Sequence, residues 1–331
     1  MKIMVYEARP DERADLEKQA ALHGEELSVT DAVPTLENAS LAAGCIGVSI
    51  LGQGCIDAAL LDAYHALGIR YLSTRTIGYD HIDLDHARSI GLRVCSASYA
   101  PNGVADFTVM MILMCLRHYK QALWRGQVND FSLTGLQGRE MKDLTIGIIG
   151  TGRIGAQVAR NLSGFGCRIL AYDLRRNPAV EPQVTYVDFD TLLAQSDVIT
   201  LHMPLLDSNR HIINRESIAK MRDGVVIVNC SRGELADIEA LIEGIETGKI
   251  GALGMDTVEG DEGIIHADHR VDILPNRNWF YLHQFRNVIM TQHMAFYTDA
   301  AVSSMVDCGI GGICQMAAGE SCPTELTGPV Q

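Results

Sequence analysis

Three glycines stand at a spacing that suits dinucleotide binding. Gly150, Gly152 and Gly155 form a G-x-G-x-x-G pattern, which follows the apolar run 145–149 and precedes apolar residues at helical spacing. This order predicts a strand, a tight turn and a helix. Glycines are needed there because the chain must turn sharply, approach a pyrophosphate with its backbone and pack the helix against the strand. The N–H groups at the start of the helix would then bind the phosphates.

An acidic residue follows at the distance that a ribose contact requires. Asp173 ends a second apolar run, 167–172, eighteen residues after Gly155. Its carboxylate can accept hydrogen bonds from the adenosine ribose and would repel a 2′-phosphate, so we expect NAD as the cofactor. Arg175 and Arg176 follow directly, and an arginine there could accommodate the extra phosphate of NADP.

Polar residues follow four further predicted strands. They are Arg75-Thr76-Ile77-Gly78, Ser231-Arg232, Asp256 with the run 259–262, and His293. In an open parallel sheet, ligands bind beyond the carboxyl ends of the strands. Each of these residues taken singly is more often structural. Together they supply an arginine, a carboxylate and a histidine beside a nicotinamide, which is the chemistry that reduction of a 2-oxo acid needs.

Composition limits the class of protein. A hydrophobic content of 47% with 21% charged residues is typical of a globular chain, and 331 residues suffice for two domains. The formal net charge of -14 disfavours nucleic acid or an anionic membrane as a partner. Nine cysteines without a C-x-x-C pair or metal-like clustering indicate buried thiols in a reducing compartment and no metal site.

The chain start and its apolar runs bear on location. The opening MKIMVYEARPDE turns acidic too early for a signal peptide. The longest apolar run, Val109 to Leu116, is far shorter than the roughly twenty residues of a membrane span. We therefore expect a cytoplasmic protein that does not cross a membrane.

The elements that must position these residues alternate along the chain. Strand-like and helical runs succeed one another in residues 1–97, which predicts a parallel sheet covered by helices but no second nucleotide site. A long helix is predicted over 103–123. Because it is apolar nearly all round from 104 to 116, we expect it to pack between domains or subunits. The stretch 257–286 shows no clear period.

Several motifs in order carry a family resemblance. They are TRTIGYDHID, SYAPNGVAD, GTGRIG, VNCSRGELAD, GMDTVEGDEG and TQHMAFYT. Together they resemble the D-specific 2-hydroxyacid dehydrogenases over nearly the whole chain. The resemblance implies two doubly wound parallel-sheet α/β domains. A Rossmann NAD-binding domain, 100–297, would be inserted into a flavodoxin-like substrate domain formed by 1–99 and 298–331. A homodimer built around the nucleotide domain is also implied.

The resemblance assigns catalytic roles by motif. Arg232 would bind the substrate carboxylate and polarise its carbonyl, and His293 would be the general acid. The family glutamate that pairs with the histidine corresponds to Asp261, one methylene shorter, and the neighbouring Glu262 is an alternative. A carboxylate beside an imidazolium raises its pKa. Gln292 stands where the family usually has proline, so a fixed backbone angle before His293 is lost.

Substrate and cofactor positions are implied in the same way. The N–H groups of Ile77 and Gly78 would hold the substrate carboxylate, and Tyr99 would line the pocket. The segment 51–54 contains no arginine for a second carboxylate, and Gly52 leaves room for a larger side chain. Besides the three glycines, the implied cofactor positions are Arg153, Ile154, Asp173, Met203, Pro204, Asn209, Cys230, Ser231 and Asp256, the last near the carboxamide.

Three functions remain open at this point. Reduction of pyruvate to D-lactate is the first prediction by overall likeness. A larger apolar or aromatic 2-oxo acid is an alternative substrate, as is hydroxypyruvate. A dinucleotide-sensing binding protein is the alternative of a different class, because corepressors resembling this family keep the fold and the histidine.

Overall fold

The computed structural model describes residues 1–274 and 276–328, which form two compact units. One unit comprises Met1–Ala100 and the segment that begins at Tyr297, and the other comprises Pro101–Phe296. Pro275 and the last residues of the predicted substrate domain, 329–331, lie outside the described residues.

The first unit contains a parallel sheet with helices between its strands. Among the described residues the sheet has five strands in the order β2-β1-β3-β4-β5, which is the flavodoxin-like order. The parallel sheet predicted for this part is confirmed, although β2, whose residues are exposed or half-buried, was not predicted. The elements are β1 (Lys2–Val5), α1 (Arg13–His23), β2 (Glu26–Val29), β3 (Gly47–Ile50), α2 (Ala58–Ala66), β4 (Tyr71–Thr74), α3 (Leu84–Ser89) and β5 (Arg93–Cys95).

The second unit contains a larger parallel sheet. Its described strands number seven, in the order β12-β11-β10-β9-β6-β7-β8. The elements are α4 (Asn102–Leu116), α5 (Tyr119–Gln127), β6 (Thr145–Ile149), α6 (Arg153–Ser163), β7 (Arg168–Tyr172), β8 (Thr185–Tyr186), α7 (Phe189–Gln195), β9 (Val198–Leu201), α8 (Arg215–Lys220), β10 (Val225–Asn229), α9 (Ile238–Glu246), β11 (Ile250–Met255), α10 (Arg277–His283) and β12 (Val288–Met290). The strand order reverses between β6 and β9, and ligands of doubly wound sheets bind at such a reversal. The predicted fold class is confirmed.

The predicted long helix is two helices. α4 ends at Leu116 and α5 begins at Tyr119, because His118 adopts a left-handed φ of 51°. α4 packs against α6 and against β10 and β11 within its own unit. Eight of its fifteen residues are buried, whereas Met110 is 41% exposed. Packing of this helix between domains or subunits stays a prediction.

The last helix, α11 (Asp299–Ala317), belongs to the first unit. The side chain of Thr298 accepts a hydrogen bond from the Ala301 N–H at 3.2 Å and so caps this helix. By length and apolar composition, this helix of 19 residues could cross a membrane. However, 56% of its most apolar window is buried inside the structure, and the helix packs against α1 and β4. These contacts are those of a core helix.

Candidate functional site

Each glycine of the predicted turn meets a different steric demand. Gly150 has a φ of 93°, and a Cβ atom there would lie 2.5 Å from the carbonyl oxygen of His202. A Cβ atom on Gly155 would lie 1.9 Å from the carbonyl oxygen of Gly150, so only glycine lets α6 pack this close to β6. A Cβ atom on Gly152 would meet no protein atom within 4 Å. The turn therefore leaves open space at its middle glycine.

The open space lies at the start of α6. Gly152 is the N-cap residue of this helix and offers no side-chain capping bond, and Arg153 and Ile154 begin the first turn. The first N–H groups of a helix have no partner within it and attract anions. Open space beside such donors would accommodate a pyrophosphate, and phosphate binding at this turn stays a prediction.

Asp173 is tied to the same turn. Its Oδ2 accepts hydrogen bonds from the N–H of Thr151 at 2.6 Å and from the hydroxyl of Thr151 at 3.1 Å. Its Oδ1 accepts one from the N–H of Arg175 at 2.9 Å. The Arg176 guanidinium lies 5.5 Å from the centre of the Tyr186 ring. These bonds hold the carboxylate at the end of β7, beside the strand from which the glycine turn begins.

His202 is a buried residue of this region that the sequence analysis did not single out. Its Nε2 lies 2.9 Å from the hydroxyl of Thr200, and burial lowers its pKa to about 3. The imidazole therefore stays neutral. The backbone carbonyl of His202 packs against Gly150. A histidine directly after a pure β run was the available signal.

The loops that follow β9 and β10 are bonded together. Asn209 donates to the carbonyl of Pro204 at 2.8 Å and approaches the sulfur of Met203 at 3.3 Å. The hydroxyl of Ser231 donates to the carbonyl of Met203 at 2.6 Å. Four predicted cofactor positions thus form one rigid surface at the carboxyl ends of these strands.

The chain around Arg232 is fixed by its neighbours. The Asn229 side chain accepts from the Ser231 N–H at 3.0 Å and donates to the Arg232 carbonyl at 2.7 Å. A Cβ atom on Gly233 would lie 2.3 Å from the backbone that follows β11, so the two loops touch. Cys230 is buried, and burial raises the pKa of its thiol. It therefore serves as a small packing residue at this strand end.

Asp256 holds the loop that carries His293. Its side chain is 1% exposed. Its Oδ1 accepts hydrogen bonds from the Thr291 hydroxyl at 2.5 Å and from the Met294 N–H at 2.9 Å, and its Oδ2 accepts from the Ala295 N–H at 2.8 Å. The role implied by the resemblance was contact with a carboxamide. The structure shows that this acid binds the Thr291 hydroxyl before His293 and the N–H groups of Met294 and Ala295 after it. Its contact with a carboxamide stays a prediction.

His293 lies among charged and aromatic groups. Burial lowers its pKa to about 4, the charge of Asp256 opposes this shift, and the charges of Arg232 and His266 add to it. The rings of His266 and His293 are 6.0 Å apart. His293 has a left-handed φ of 53°, a conformation that is uncommon for residues other than glycine and that recurs at functional sites. His266 was not identified from the sequence, because it lies in the stretch without period.

Asp261 has a different neighbourhood from the one expected. Its carboxylate accepts a hydrogen bond from the Val258 N–H at 3.1 Å. Burial raises its pKa to about 6, and the charges of Glu234 and Glu262 add to the shift. Among the hydrogen bonds of the described chain, none joins Asp261 to His293. Pairing of His293 with Asp261 or Glu262 stays a prediction.

The predicted carboxylate-binding turn of the first unit follows β4. The hydroxyl of Thr76 donates to the carbonyl of Gly78 at 2.6 Å and so fixes the turn. Within residues 1–274 and 276–328, the N–H groups of Ile77 and Gly78 donate to no protein acceptor. Tyr99 is half-buried after β5. The turn therefore keeps two donors for an anion.

Arg75, grouped with this turn from the sequence, has a structural role. Its guanidinium is fully buried and pairs with Glu12 at 3.0 Å. It also donates to the Ser49 hydroxyl at 3.2 Å and to the Tyr6 carbonyl at 3.0 Å. Buried charges require such pairing, so Arg75 does not belong with the ligand-binding candidates.

The expectation that Gly52 leaves room for substrate is wrong. Gly52 has a φ of 85°, and a Cβ atom on it would lie 2.8 Å from the His81 ring. The space of the missing side chain is therefore filled by an imidazole, and glycine is required by the turn.

Comparison with known proteins agrees with this geometry. The model of the D-isomer specific 2-hydroxyacid dehydrogenase NAD-binding domain matches residues 109–295. The chain is 41% identical over 309 residues to an aromatic 2-oxoacid reductase of Clostridium sporogenes, covering 93% of each chain. It is 36% identical over 328 residues to a D-lactate dehydrogenase of Escherichia coli, covering 98% of this chain and 100% of the other.

A solved structure is similar over almost the full length. It is that of a D-isomer specific 2-hydroxyacid dehydrogenase from Lactobacillus delbrueckii ssp. bulgaricus in its NAD-complexed form. The two structures superpose with a TM-score of 0.84 at 30% identity, covering 98% of this chain and 100% of the other.

The glycine turn yields a prediction with an internal control. Gly155→Ala places a methyl group against the Gly150 carbonyl and should lower the melting temperature by several degrees. Gly152→Ala meets no protein atom and should melt like the wild type. It should still weaken NADH binding, measured by fluorescence titration, about tenfold or more. Normal NADH affinity in Gly152→Ala would show that the cofactor does not occupy this space.

Proposed function

The chain belongs to the D-isomer specific 2-hydroxyacid dehydrogenase family, and on that premise we propose that it reduces pyruvate to D-lactate. It is an NAD-dependent oxidoreductase, as its relatives are. The observation that carries the proposal is the convergence on His293 of the charges of Arg232 and Asp256, each placed by the end of a strand in the NAD-binding unit. When bound, NAD supplies or accepts the hydride.

Residues of this chain would bind the substrate, orient it and transfer the proton. The guanidinium of Arg232 binds the substrate carboxylate and polarises the adjacent carbonyl. His293 gives a proton to the carbonyl oxygen during reduction and takes it back during oxidation. Asp256 is a positioning residue, because it holds the His293 loop by two backbone N–H groups and a hydroxyl. The N–H groups of Ile77 and Gly78 provide further donors for the carboxylate.

A larger substrate is the second candidate. Identity is higher to the aromatic 2-oxoacid reductase, 41%, than to the D-lactate dehydrogenase of Escherichia coli, 36%. This likeness is the observation that supports an aromatic 2-oxo acid such as phenylpyruvate as the alternative substrate. Both candidate reactions use His293 as the proton donor, Arg232 as the carboxylate-binding residue and the same hydride transfer.

The two units would bind different parts of the cofactor and substrate pair, whichever 2-oxo acid is used. Residues 101–296 would hold NAD and supply Arg232 and His293, and the unit formed by 1–100 with the C-terminal segment would supply the other substrate contacts. The nine cysteines are free thiols, which suits a reducing cytoplasm.

Loss of the proton donor gives the direct test. His293→Ala should lower kcat for 2-oxo acid reduction by about two to four decades. NADH oxidation would be followed with pyruvate, phenylpyruvate, 2-oxoisocaproate and hydroxypyruvate, and product configuration determined on a chiral column. His266→Ala removes the neighbouring ring without removing the donor and should cost less than about tenfold. A wild-type chain that oxidises NADH with no 2-oxo acid but captures a stoichiometric protein partner would support the sensing function instead.

The pH dependence follows from the position of His293. Burial and nearby cations lower its pKa to about 4, so the free enzyme holds it mainly as the neutral base at pH 7. Reduction needs the imidazolium form. The kcat/KM for reduction should therefore fall about tenfold for each pH unit above about pH 5, while the kcat/KM for oxidation stays constant over the same range. Reduction that becomes faster with rising pH would contradict proton donation by His293.

We also propose a homodimer formed through an apolar surface of the NAD-binding unit. This surface comprises side chains of α5 and the loop after it that are 53–84% exposed, namely Leu123, Trp124, Val128, Phe131 and Leu133. Contiguous exposed apolar residues mark interaction sites. A second copy is the occupant that the family resemblance implies.

Light scattering after gel filtration tests the dimer. The wild type should elute as a dimer and Phe131→Asp/Leu133→Asp as a folded monomer, because burying two carboxylates in an apolar interface is unfavourable. Val271→Asp alters another exposed apolar side chain, 94% exposed, and should remain dimeric. A double variant that still forms a dimer would place the interface elsewhere.

A further inference from the structure

The first unit contains a carboxylate that no catalytic step uses. Glu7 follows β1 and is 3% exposed. Its Oε2 accepts hydrogen bonds from the N–H of Leu51 and, at 2.8 Å, from that of Gly52, and its Oε1 accepts from that of Gln53 at 2.9 Å. Three successive N–H groups in a turn form a concave anion-binding site. In this chain the site is filled by the protein's own carboxylate.

The backbone of Glu7 is held in the conformation that allows this contact. Its φ is 54°, in the left-handed region that residues other than glycine rarely adopt. Its N–H donates to the Ala32 carbonyl at 3.1 Å, and its carbonyl accepts from the Arg75 guanidinium at 3.3 Å. Surrounding bonds therefore fix an unfavourable angle, which aims the carboxylate at the loop after β3.

This filled turn lies beside the turn proposed to hold the substrate carboxylate. β3 and β4 are neighbours, with Ile50 paired to Thr74, so residues 51–53 and 75–78 leave the same edge of the sheet. Neighbouring strands lie about 4.8 Å apart. The His81 ring packs on Gly52 and reaches the Thr74 hydroxyl at 3.2 Å, so the two turns are linked.

The two turns differ in what they offer a ligand. The N–H groups at 77–78 have no protein acceptor within the described residues, whereas those at 51–53 are satisfied by Glu7. A substrate carrying a second carboxylate would find no open donors at residues 51–53, and it would meet a negative charge there. Like charges brought together in a binding site are strongly unfavourable.

We propose that Glu7 is a specificity-determining residue, which fills the anion site at residues 51–53 and so makes the enzyme select 2-oxo acids with an uncharged side chain over dicarboxylic ones. This inference rests on the proposed function, because it concerns the substrate of the same reaction. On this account, dicarboxylic substrates are excluded because Glu7 occupies the anion site, and not only because the segment 51–54 lacks an arginine.

The test compares two substrates of similar shape and different charge. Oxaloacetate and 2-oxoisocaproate differ in that a carboxylate replaces an isopropyl group. The wild type should prefer 2-oxoisocaproate in kcat/KM by about a hundredfold or more. Glu7→Ala opens the site and should reduce that preference about tenfold or more, mainly through KM for oxaloacetate. Because the ratio is measured within one variant, general damage to the protein cancels.

Two further measurements keep the result decisive. Glu7→Gln retains the shape, removes the charge and should shift the ratio in the same direction even if Glu7→Ala folds poorly. Acetate should raise the melting temperature of Glu7→Ala more than that of the wild type and in a saturable manner, because acetate can occupy the vacated site in addition to the open turn at residues 77–78. Glu25→Ala removes a buried carboxylate before β2, at the opposite edge of the sheet, and should show neither effect.

The outcomes separate the two claims. An unchanged ratio in both Glu7 variants, with the wild type active on 2-oxoisocaproate, would overturn the role of Glu7 and leave the dehydrogenase function intact. A wild type inactive on every 2-oxo acid would overturn the proposed function. In that case the acetate titration would still show whether residues 51–53 form an anion site.

Discussion

The hydrogen bonds of the Asp256 carboxylate are the constraint on which the candidate active site depends. This acid ends β11, and its two oxygens bind the loop after β12 on both sides of His293. Because the loop has a left-handed residue at its centre, it would not hold that conformation without fixed partners. One buried charge thus sets the position of the imidazole and also influences its proton affinity.

The same solution recurs at other strand ends. Glu7, Asp173 and Asp256 each follow a strand, and each binds backbone N–H groups of a neighbouring loop. Backbone donors satisfy a carboxylate while also fixing the loop that supplies them. The loops that bind these three carboxylates are therefore held by hydrogen bonds even though they carry no regular secondary structure. Rigid loops of this kind suit a site whose ligand groups come from several different strands.

The parts of the structure that the sequence predicts are those set by local pattern. The glycine turn was predictable because Gly150 and Gly155 each forbid a side chain for a local steric reason. The strand ends that carry Arg232 and His293 were predictable because buried parallel strands are continuous apolar runs. The resemblance to a family added the roles of these residues, which pattern alone does not contain.

The features that the sequence did not predict depend on contacts between distant segments. Nothing near Gly52 in the chain indicates that the His81 ring fills the space of its missing side chain. Arg75 follows a strand as a ligand-binding arginine would, but its buried partner Glu12 lies 63 residues away in the sequence. Glu7 illustrates the point most directly. A glutamate after the first strand is unremarkable in sequence, since only the folded sheet brings the turn at residues 51–53 against it. The preference of such an enzyme for one substrate side chain over another can therefore depend on a residue that lies outside every recognised sequence motif.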